Sequence, residues 1–358
     1  MPYSAFGIDT QGLWRLLCEN RFAVDPTYWP TLAFLASASL TTSAHKRDEE
    51  QRYGTAIAEI KIEPPLFVLG HWRSGTTLLH ELLIRDERFA YPNLFQISRP
   101  HTFLVEEEEI KKKLAAQKGA KRPMDDLQVT FQSPGEDEYA LAILSQRSPL
   151  ISWFFPRHEE YYDRFLTFRN VMSREVERWK ESLLYFMQKL TYRYGKPLLL
   201  KSPPHTGRIR LLLQLFPEAR FVHIHRHPYD VFQSTQHLYQ KTVHRHHLQR
   251  ARNHNFDPGI LRRYAEMYDA FHDDLDLIPD GHLCQVRFED LERAKAEEVQ
   301  RIYLELGLDF DTMEPRLQRY IESLAGYKKN ERQPLDEQTK ALVAQSWRRS
   351  FDEWGYDL

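Results

Sequence analysis

Cysteine is nearly missing from these 358 residues: Cys18 and Cys284 are the only two. A pair so far apart in sequence gives no disulfide framework and fits a reducing, cytoplasmic setting. Long hydrophobic runs are missing as well. The most apolar N-terminal stretch, Trp29 to Ser43, is dotted with Ser and Thr. It falls short of the roughly 18 residues that span a bilayer, so it reads as a packed helix, with peripheral membrane contact left open. Met1 to Gln11 has no basic start leading into an apolar run, so no secretory leader is expected. An excess of one charge is absent too: the net charge is −2, which removes any global electrostatic argument for a nucleic-acid partner. No internal repeat and no separating linker is visible. With 28% charged and 42% hydrophobic residues the composition is ordinary for a soluble globular chain. The length suits one large α/β domain with insertions, or two small ones.

The chain is organised around Leu66-Phe67-Val68-Leu69-Gly70-His71-Trp72-Arg73-Ser74-Gly75-Thr76-Thr77-Leu78-Leu79-His80-Glu81-Leu82-Leu83. An apolar run behind Pro64-Pro65 predicts a buried strand, and the apolar positions 78, 79, 82 and 83 have helical spacing. Between them lies a loop bounded by Gly70 and Gly75. Such a strand–loop–helix junction is an anion cradle, because unsatisfied N–H groups and the helix dipole point into it. The nucleoside-triphosphate loop follows G-x-x-x-x-G-K-[ST]. Here the glycine spacing is kept, but Thr76 stands at the lysine position and the cation has moved inside the loop, to Arg73. A loop without the lysine that reaches the β- and γ-phosphates suits a smaller anion. The plain alternative is an ordinary strand–turn–helix.

Arg73-Ser74-Gly75-Thr76-Thr77 after a strand resembles the 5′-phosphosulfate loop of sulfotransferases that use 3′-phosphoadenosine 5′-phosphosulfate (PAPS). A second stretch completes the resemblance. Arg226-His227-Pro228-Tyr229-Asp230-Val231-Phe232-Gln233-Ser234 puts a cation at a strand end and a hydroxyl eight residues later on the next helix. The resemblance implies that Arg226 and Ser234 hold the 3′-phosphate, with Arg73, Ser74, Gly75, Thr76 and Thr77 around the 5′ end. Bidentate arginine–phosphate geometry suits that role. The alternative is that Asp230 simply pairs with Arg226. Val286-Arg287-Phe288-Glu289-Asp290-Leu291 is similar to the family segment whose aromatic lies near the adenine, with Phe288 leaving stacking alone. Lys328 and Lys329 stand where the family supplies a late basic contact, although an exposed helix end fits them equally. The resemblance covers residues 64–330. It implies a P-loop-like three-layer α/β fold with a mostly parallel central sheet flanked by helices. The expected organisation is a single domain over 1–358, with a helical extension (1–60), a cofactor-binding and catalytic core (64–330) and a tail (331–358).

Along the chain, residues 1–60 read as helical, broken at Asp25-Pro26. Ala90 to Phe103 reads as extended loop. Glu106 to Lys113 carries i,i+4 Glu–Lys pairs and reads as an exposed helix face. Ser133-Pro134-Gly135-Glu136 has the form of a capping box. Glu136, Asp137 and Glu138 then offer either a general base or dipole complementarity. Residues 158–194 read as one amphipathic helix with Trp179, Leu183, Leu184, Phe186 and Met187 as core, closed by Gly195. Strands are predicted over Pro197–Lys201, Ala219–Arg226 and His282–Phe288, alternating with helices, so the sheet is expected to be largely parallel. Arg73, Lys201 and Arg226 then fall at carboxyl strand ends, where such sheets bind ligands. Residues 240–257 read as a loop or lid, 289–307 as a helix ending in glycine, and Trp347, Phe351 and Trp354 as a terminal aromatic cluster.

These readings give an enzyme that moves a sulfuryl group from PAPS to a hydroxyl, leaving adenosine 3′,5′-bisphosphate (PAP). Arg73 and Lys201 would stabilise the leaving charge with the loop amides, and no metal is required. His205, in Lys201-Ser202-Pro203-Pro204-His205, resembles the histidine base of cytosolic sulfotransferases, displaced by two residues behind two prolines. Glu136, Asp137 and Glu138 are the reserve candidates. His223 and His225 share a strand face and could ligate zinc, but Arg226 beside them opposes a cation. The rival readings are a small-molecule kinase, which lacks its lysine here, and a non-catalytic nucleotide-binding protein. Trp72, Phe95, Phe103, Trp153, Phe154 and Phe155 hint at an apolar or ring-bearing alcohol, or are all core, so the acceptor stays open among small-molecule, lipid and carbohydrate hydroxyls.

Overall fold

The computed structural model describes residues 7–107, 120–121, 128–252, 255–324 and 335–358. They form two compact units: 1–62, 91–195 and 239–254 make one, and 63–90, 196–238 and 255–358 make the other.

The second unit is built on four parallel strands, β1 (Leu66–Leu69), β2 (Leu199–Lys201), β3 (Arg220–His225) and β4 (Leu283–Arg287), in the order β2-β1-β3-β4. All residues of β1 and β2 are buried, which explains why both read as unbroken apolar runs rather than alternating ones. The edge strand β4 alternates instead, with Cys284 and Val286 buried and Gln285 exposed. Val68 lies beside Lys201, Leu69 beside His223, and His225 beside Arg287. Because the strands are parallel, their carboxyl ends share one edge. The loop 70–75, Ser202, Arg226 and Phe288 all leave from it. Helices flank the sheet, among them Thr76–Leu83, Ile209–Leu215, Pro228–Thr242 and Asp257–Asp274. The expected helix over 289–307 is two, Phe288–Arg293 and Lys295–Glu305, broken at Ala294, which takes ψ 66.

The first unit is helical, with a short antiparallel pair, Ala120–Lys121 and Gln128–Val129. Helix Ser173–Tyr194 buries Trp179, Leu183, Phe186 and Met187, and Gly195 ends it in the left-handed region at φ 61. The expected single helix over 158–194 is interrupted. Helix Glu159–Asp163 stops, and Phe168 at φ 57 turns the chain before Ser173. Lys189 is fully buried and pairs with buried Glu49 of helix Trp29–Ala58, donates to the Pro100 carbonyl at 2.6 Å and lies 4.3 Å from the Phe103 ring centre. Burial pushes its ammonium down to about 8 and raises the Glu49 carboxyl.

Several local expectations are corrected. Asn93 and Gln96 form a capping box that starts helix Leu94–Ser98 inside the stretch read as extended. Ser133 caps no helix: its hydroxyl accepts from the Thr130 amide at 3.0 Å, and the helix begins at Asp137 behind an extended Glu136 (ψ 122). Glu106 and Glu107 are not a solvated face but are buried, against His45 at 2.7 Å and Arg193 at 2.8 Å. Residues 108–113 of that charge run lie outside the described residues. Phe95, Phe103, Trp153, Phe154 and Phe155 are buried core, so they give no argument about an acceptor.

Candidate active site

The strand–loop–helix junction is held open by backbone conformations that its sequence was chosen to reach. Gly70, Arg73 and Gly75 sit at φ 140, 71 and 103. A Cβ on Gly75 would lie 2.3 Å from Cδ2 of Phe288, so only glycine lets that ring close on the loop. Other bonds pin the approach to the loop. The Gly70 amide donates to Thr206 Oγ1 at 2.7 Å, the His71 amide to the Tyr268 hydroxyl at 3.1 Å, and the Ser74 hydroxyl to the His71 carbonyl at 2.7 Å. His71 is buried, and desolvation pushes its imidazole down to about 3; its Nδ1–H donates to the Trp72 carbonyl at 2.7 Å. Helix Thr76–Leu83 follows, with Gly75 at its N-cap supplying no capping side chain. Its first-turn amides, which have no carbonyl four residues back, therefore face the loop together with the positive end of the dipole.

The second motif meets the first. Arg73 Nε donates to Ser234 Oγ at 2.9 Å, across 161 residues of sequence. Ser234 is buried two turns into helix Pro228–Thr242, and Arg226 is the first residue beyond β3. Arg226 lies 4.4 Å over the Phe288 ring centre and pairs with exposed Asp230 at 2.8 Å, so the pairing weighed from the sequence does occur. Phe288 thus touches both the loop glycine and the second arginine. Arg73, Gly75, Arg226, Ser234 and Phe288 form one cluster.

Lys201 ends β2 beside Val68, nearly buried, just below the loop. His205 lies in the 3-10 turn Pro203–Arg208 that follows; it is fully buried, with its ring edge-on to Phe67 of β1 at 5.4 Å. Glu136 and Glu138 belong to the other unit, at the cap and in the first turn of helix Asp137–Leu144, with Glu138 fully buried. Lys328 and Lys329 lie outside the described residues.

The sequence reading passes over Thr206, Tyr268 and Tyr356. Thr206 carried a usable signal, a hydroxyl following the Lys201–His205 segment. Tyr356 had a weaker one, the left-handed Gly355 before it. Its hydroxyl donates to Glu289 Oε2 at 2.9 Å and accepts from His225 Nδ1 at 3.0 Å, while Glu289 Oε1 accepts the His227 amide at 3.2 Å. The chain's last residues so brace the loop after β3. His225 stacks on Trp354 with centroids 4.7 Å apart, and burial, then Arg287, lowers it to about 3. His223 is held well below its usual range by burial, and its Nδ1–H donates to Gln285 Oε1, 3.2 Å away. Among the described residues, no group of three or more His, Cys, Asp or Glu is placed to hold a metal ion.

A sequence profile of the sulfotransferase family matches residues 64–312, the second unit's loop and sheet included. The chain belongs to the sulfotransferase family. The omega-hydroxy-beta-dihydromenaquinone-9 sulfotransferase Stf3 of Mycobacterium tuberculosis (strain CDC 1551 / Oshkosh) is 35% identical to this sulfotransferase over 345 residues, 96% of this chain and 88% of that protein. Its counterpart in Mycobacterium bovis matches to the same extent. Among solved structures, the sulfotransferase STF9 from Mycobacterium avium superposes with a TM-score of 0.69 at 20% identity, covering 94% of this chain and 88% of that one. STF1 from Mycobacterium tuberculosis H37Rv gives 0.63 at 16% identity, over 94% and 90%. At those identities the structures speak for the α/β fold with its parallel sheet flanked by helices, as the sequence led one to expect. The profile and the 35% relative speak for the enzyme class, a sulfotransferase, for which the family implies PAPS as donor and PAP as product.

The cluster fits that donor. Arg73, Arg226, the Ser234 hydroxyl and the helix-terminal amides are chemically suited to anionic groups, and the Phe288 ring to a base. The glycine cradle is the most exacting part. Gly75→Ala is expected to lower PAP affinity tenfold or more and to destabilise the fold by about 1–3 kcal/mol, from left-handed strain and the clash with Phe288. Calorimetric titration and thermal melts of the purified variant check both effects.

Proposed function

We propose that this sulfotransferase transfers the sulfuryl group of PAPS to a hydroxyl carried on a lipid, using Arg73, Lys201 and the amides of the 70–77 loop at the sulfuryl end. Arg226, Ser234 and Phe288 hold the 3′-phosphate and adenine. The observation that carries the donor site is the bond between Arg73 and Ser234, which brings the two anion-binding segments within one side chain's length of each other. Support for the acceptor class comes from the 35% identical relative, whose name specifies a hydroxylated menaquinone.

The donor supplies an activated sulfuryl group. An S–O bond forms to the acceptor oxygen as the S–O bond to the donor's 5′-phosphate breaks, in line, as in phosphoryl transfer. Arg73, Lys201 and the helix-terminal amides face the charge that grows on the departing oxygen, and fixed donors in a site screened from water stabilise it most effectively. The acceptor's proton goes to His205, at the carboxyl edge of β2. The Ser74 hydroxyl keeps the loop turned through its bond to the His71 carbonyl, while Thr76 and Thr77 open the helix.

Radiolabelled sulfate offered as PAPS tests the reading. Label is expected on a polyprenyl quinone bearing a terminal hydroxyl and not on the same quinone without it. Label appearing only on simple phenols would overturn the lipid acceptor. Phosphate moving from labelled ATP would instead favour the kinase reading.

A further inference from the structure

The stretch read as a packed helix is packed on one face only. Helix Trp29–Ala58 begins with residues 29–44, which include no charged side chain, yet Trp29, Phe34 and Leu40 are 60%, 45% and 66% accessible. Trp29, Ala33, Ala36 and Leu40 recur at helical spacing as one outward stripe, all exposed, while Leu35, Ser39 and Thr42 point inward. From residue 45 the same helix turns charged, with Lys46, Arg47, Asp48, Glu49 and Glu50 in succession. An uncharged outward stripe on the first half alone needs a reason, because an exposed helix face normally carries charge.

The preceding helix adds exposed aromatic side chains. Thr10–Glu19 is tied to the long helix by the Thr10 amide on Ser43 Oγ at 2.9 Å and by Lys46 on Asp9 at 2.8 Å. It exposes Trp14 at 63%, in edge contact with Phe22 at 5.3 Å, itself 52% exposed and turned outward at φ 53. Arginines gather where the two helices join. Arg157 donates to Asp25 at 2.6 Å. The Arg250 amide donates to the same carboxylate at 2.7 Å, and its guanidinium to Thr27 Oγ1 at 3.1 Å, two residues before Trp29. Arg21 and Arg252 lie close enough to join Arg157 in disfavouring the charge on His158.

We propose that this helical hairpin is a membrane-docking surface, seating Trp14, Phe22, Trp29 and Leu40 in the headgroup region of an anionic bilayer, with the arginines of the helix junction on its phosphates. Tryptophan and phenylalanine beside arginine are the composition of an interfacial element, apolar on one face and cationic at its rim. Among the described residues no helix is long and apolar enough to cross a membrane, so the hairpin lies on the surface rather than spanning it. The occupant follows from charge complementarity and from the lipid acceptor, and in that second respect the inference rests on the proposed function: a polyprenyl lipid stays in its bilayer, so the enzyme has to come to it.

Co-sedimentation of the full chain with phosphatidylglycerol-containing and pure phosphatidylcholine vesicles tests it. The wild-type protein is expected to pellet with the anionic vesicles and to be released by salt, and Trp29→Ser with Leu40→Ser to weaken that binding about tenfold or more. The double variant should keep wild-type PAP affinity and wild-type turnover on a short-chain, water-soluble hydroxylated acceptor. Vesicle binding that persists although no lipid hydroxyl is sulfated would keep the docking surface and remove the acceptor reading. A wild-type chain that stays in the supernatant while sulfating a detergent-dispersed lipid would overturn the docking surface alone. Concentration-dependent dimers of the wild type that the double variant cannot form, without vesicle binding, would assign the face to a second copy and overturn it too.

Discussion

Arg73→Ala should lower turnover by about 10²–10³ at saturating donor while leaving part of the affinity for PAP, the range seen when one fixed donor to a developing charge is removed. The size of the effect follows from preorganisation. Arg73 is held in a left-handed backbone conformation at φ 71, and its Nε is already spent on Ser234. The side chain is therefore held before the reaction begins, and little side-chain entropy is lost as charge develops. Binding persists in part because the helix-terminal amides, Arg226 and Phe288 remain. Lysine should rescue poorly, since an ammonium cannot bond Ser234 through one nitrogen and present a planar fork with the others. Steady-state rates of the two variants, with PAP binding measured alongside, decide it. Wild-type turnover by Arg73→Ala at saturating donor would show that the loop does not face the transferring group.

His205→Ala should cost about 10²–10⁴ in rate, the usual worth of a general base, because an alcohol is a weak nucleophile near neutral pH. His205 sits four residues past Lys201 on the segment leaving β2, and the next residue, Thr206, fixes that segment to the Gly70 amide. The two prolines before it set the turn, and the ring packs edge-on to Phe67 instead of swinging free. Since the site is buried, the alanine variant leaves a cavity, so its melting temperature and PAP affinity have to be recorded with its rate. Lost turnover with PAP binding intact is the expected result. Turnover within threefold of wild type would exclude His205 and move the role to the carboxylates, for which Glu138→Gln is the matching variant.

The parts of the fold legible in the sequence are those where one physical rule acts alone. β1 and β2 are buried on both faces, so apolar runs announced them, and Gly70 and Gly75 marked the loop because their φ values of 140 and 103 suit glycine. Gly195 and Pro228 marked helix ends for the same kind of reason. Errors came where two rules compete. Ser133-Pro134-Gly135-Glu136 has the letters of a capping box, but the Ser133 hydroxyl serves Thr130 and the Gly135 amide goes to the Pro92 carbonyl at 2.8 Å. Pro92 and Pro100 suggested extended chain and hid the real box, Asn93 with Gln96. Glu106 and Glu107 looked solvated because their partners, His45 and Arg193, are remote in sequence. Trp29 to Ser43 is the packed helix expected, but apolarity did not say which side faces protein.

The site was legible in its residue types and not in its joints. Arg73, Arg226, Ser234 and Phe288 could be named from the resemblance, but the bond from Arg73 to Ser234 and the contact of Phe288 with Gly75 are long-range facts. Thr206, Tyr268 and Tyr356, which anchor the loop and the turn after β3, do so through partners remote in sequence. The extent differs modestly as well: the resemblance was drawn over 64–330, and the family profile matches 64–312.

The proposed donor site has two adjoining anion-binding parts, the loop and the pair Arg226 and Ser234, joined by the bond from Arg73 to Ser234. Titration calorimetry of PAP against AMP measures the second directly. In the free protein Arg226 pairs with Asp230, a carboxylate more than half exposed, and such pairs are weak enough for a phosphate to displace. A charge-assisted phosphate contact is worth about 1.5–3 kcal/mol, so PAP should bind roughly 10- to 100-fold more tightly than AMP. Equal affinities for the two nucleotides would contradict the account.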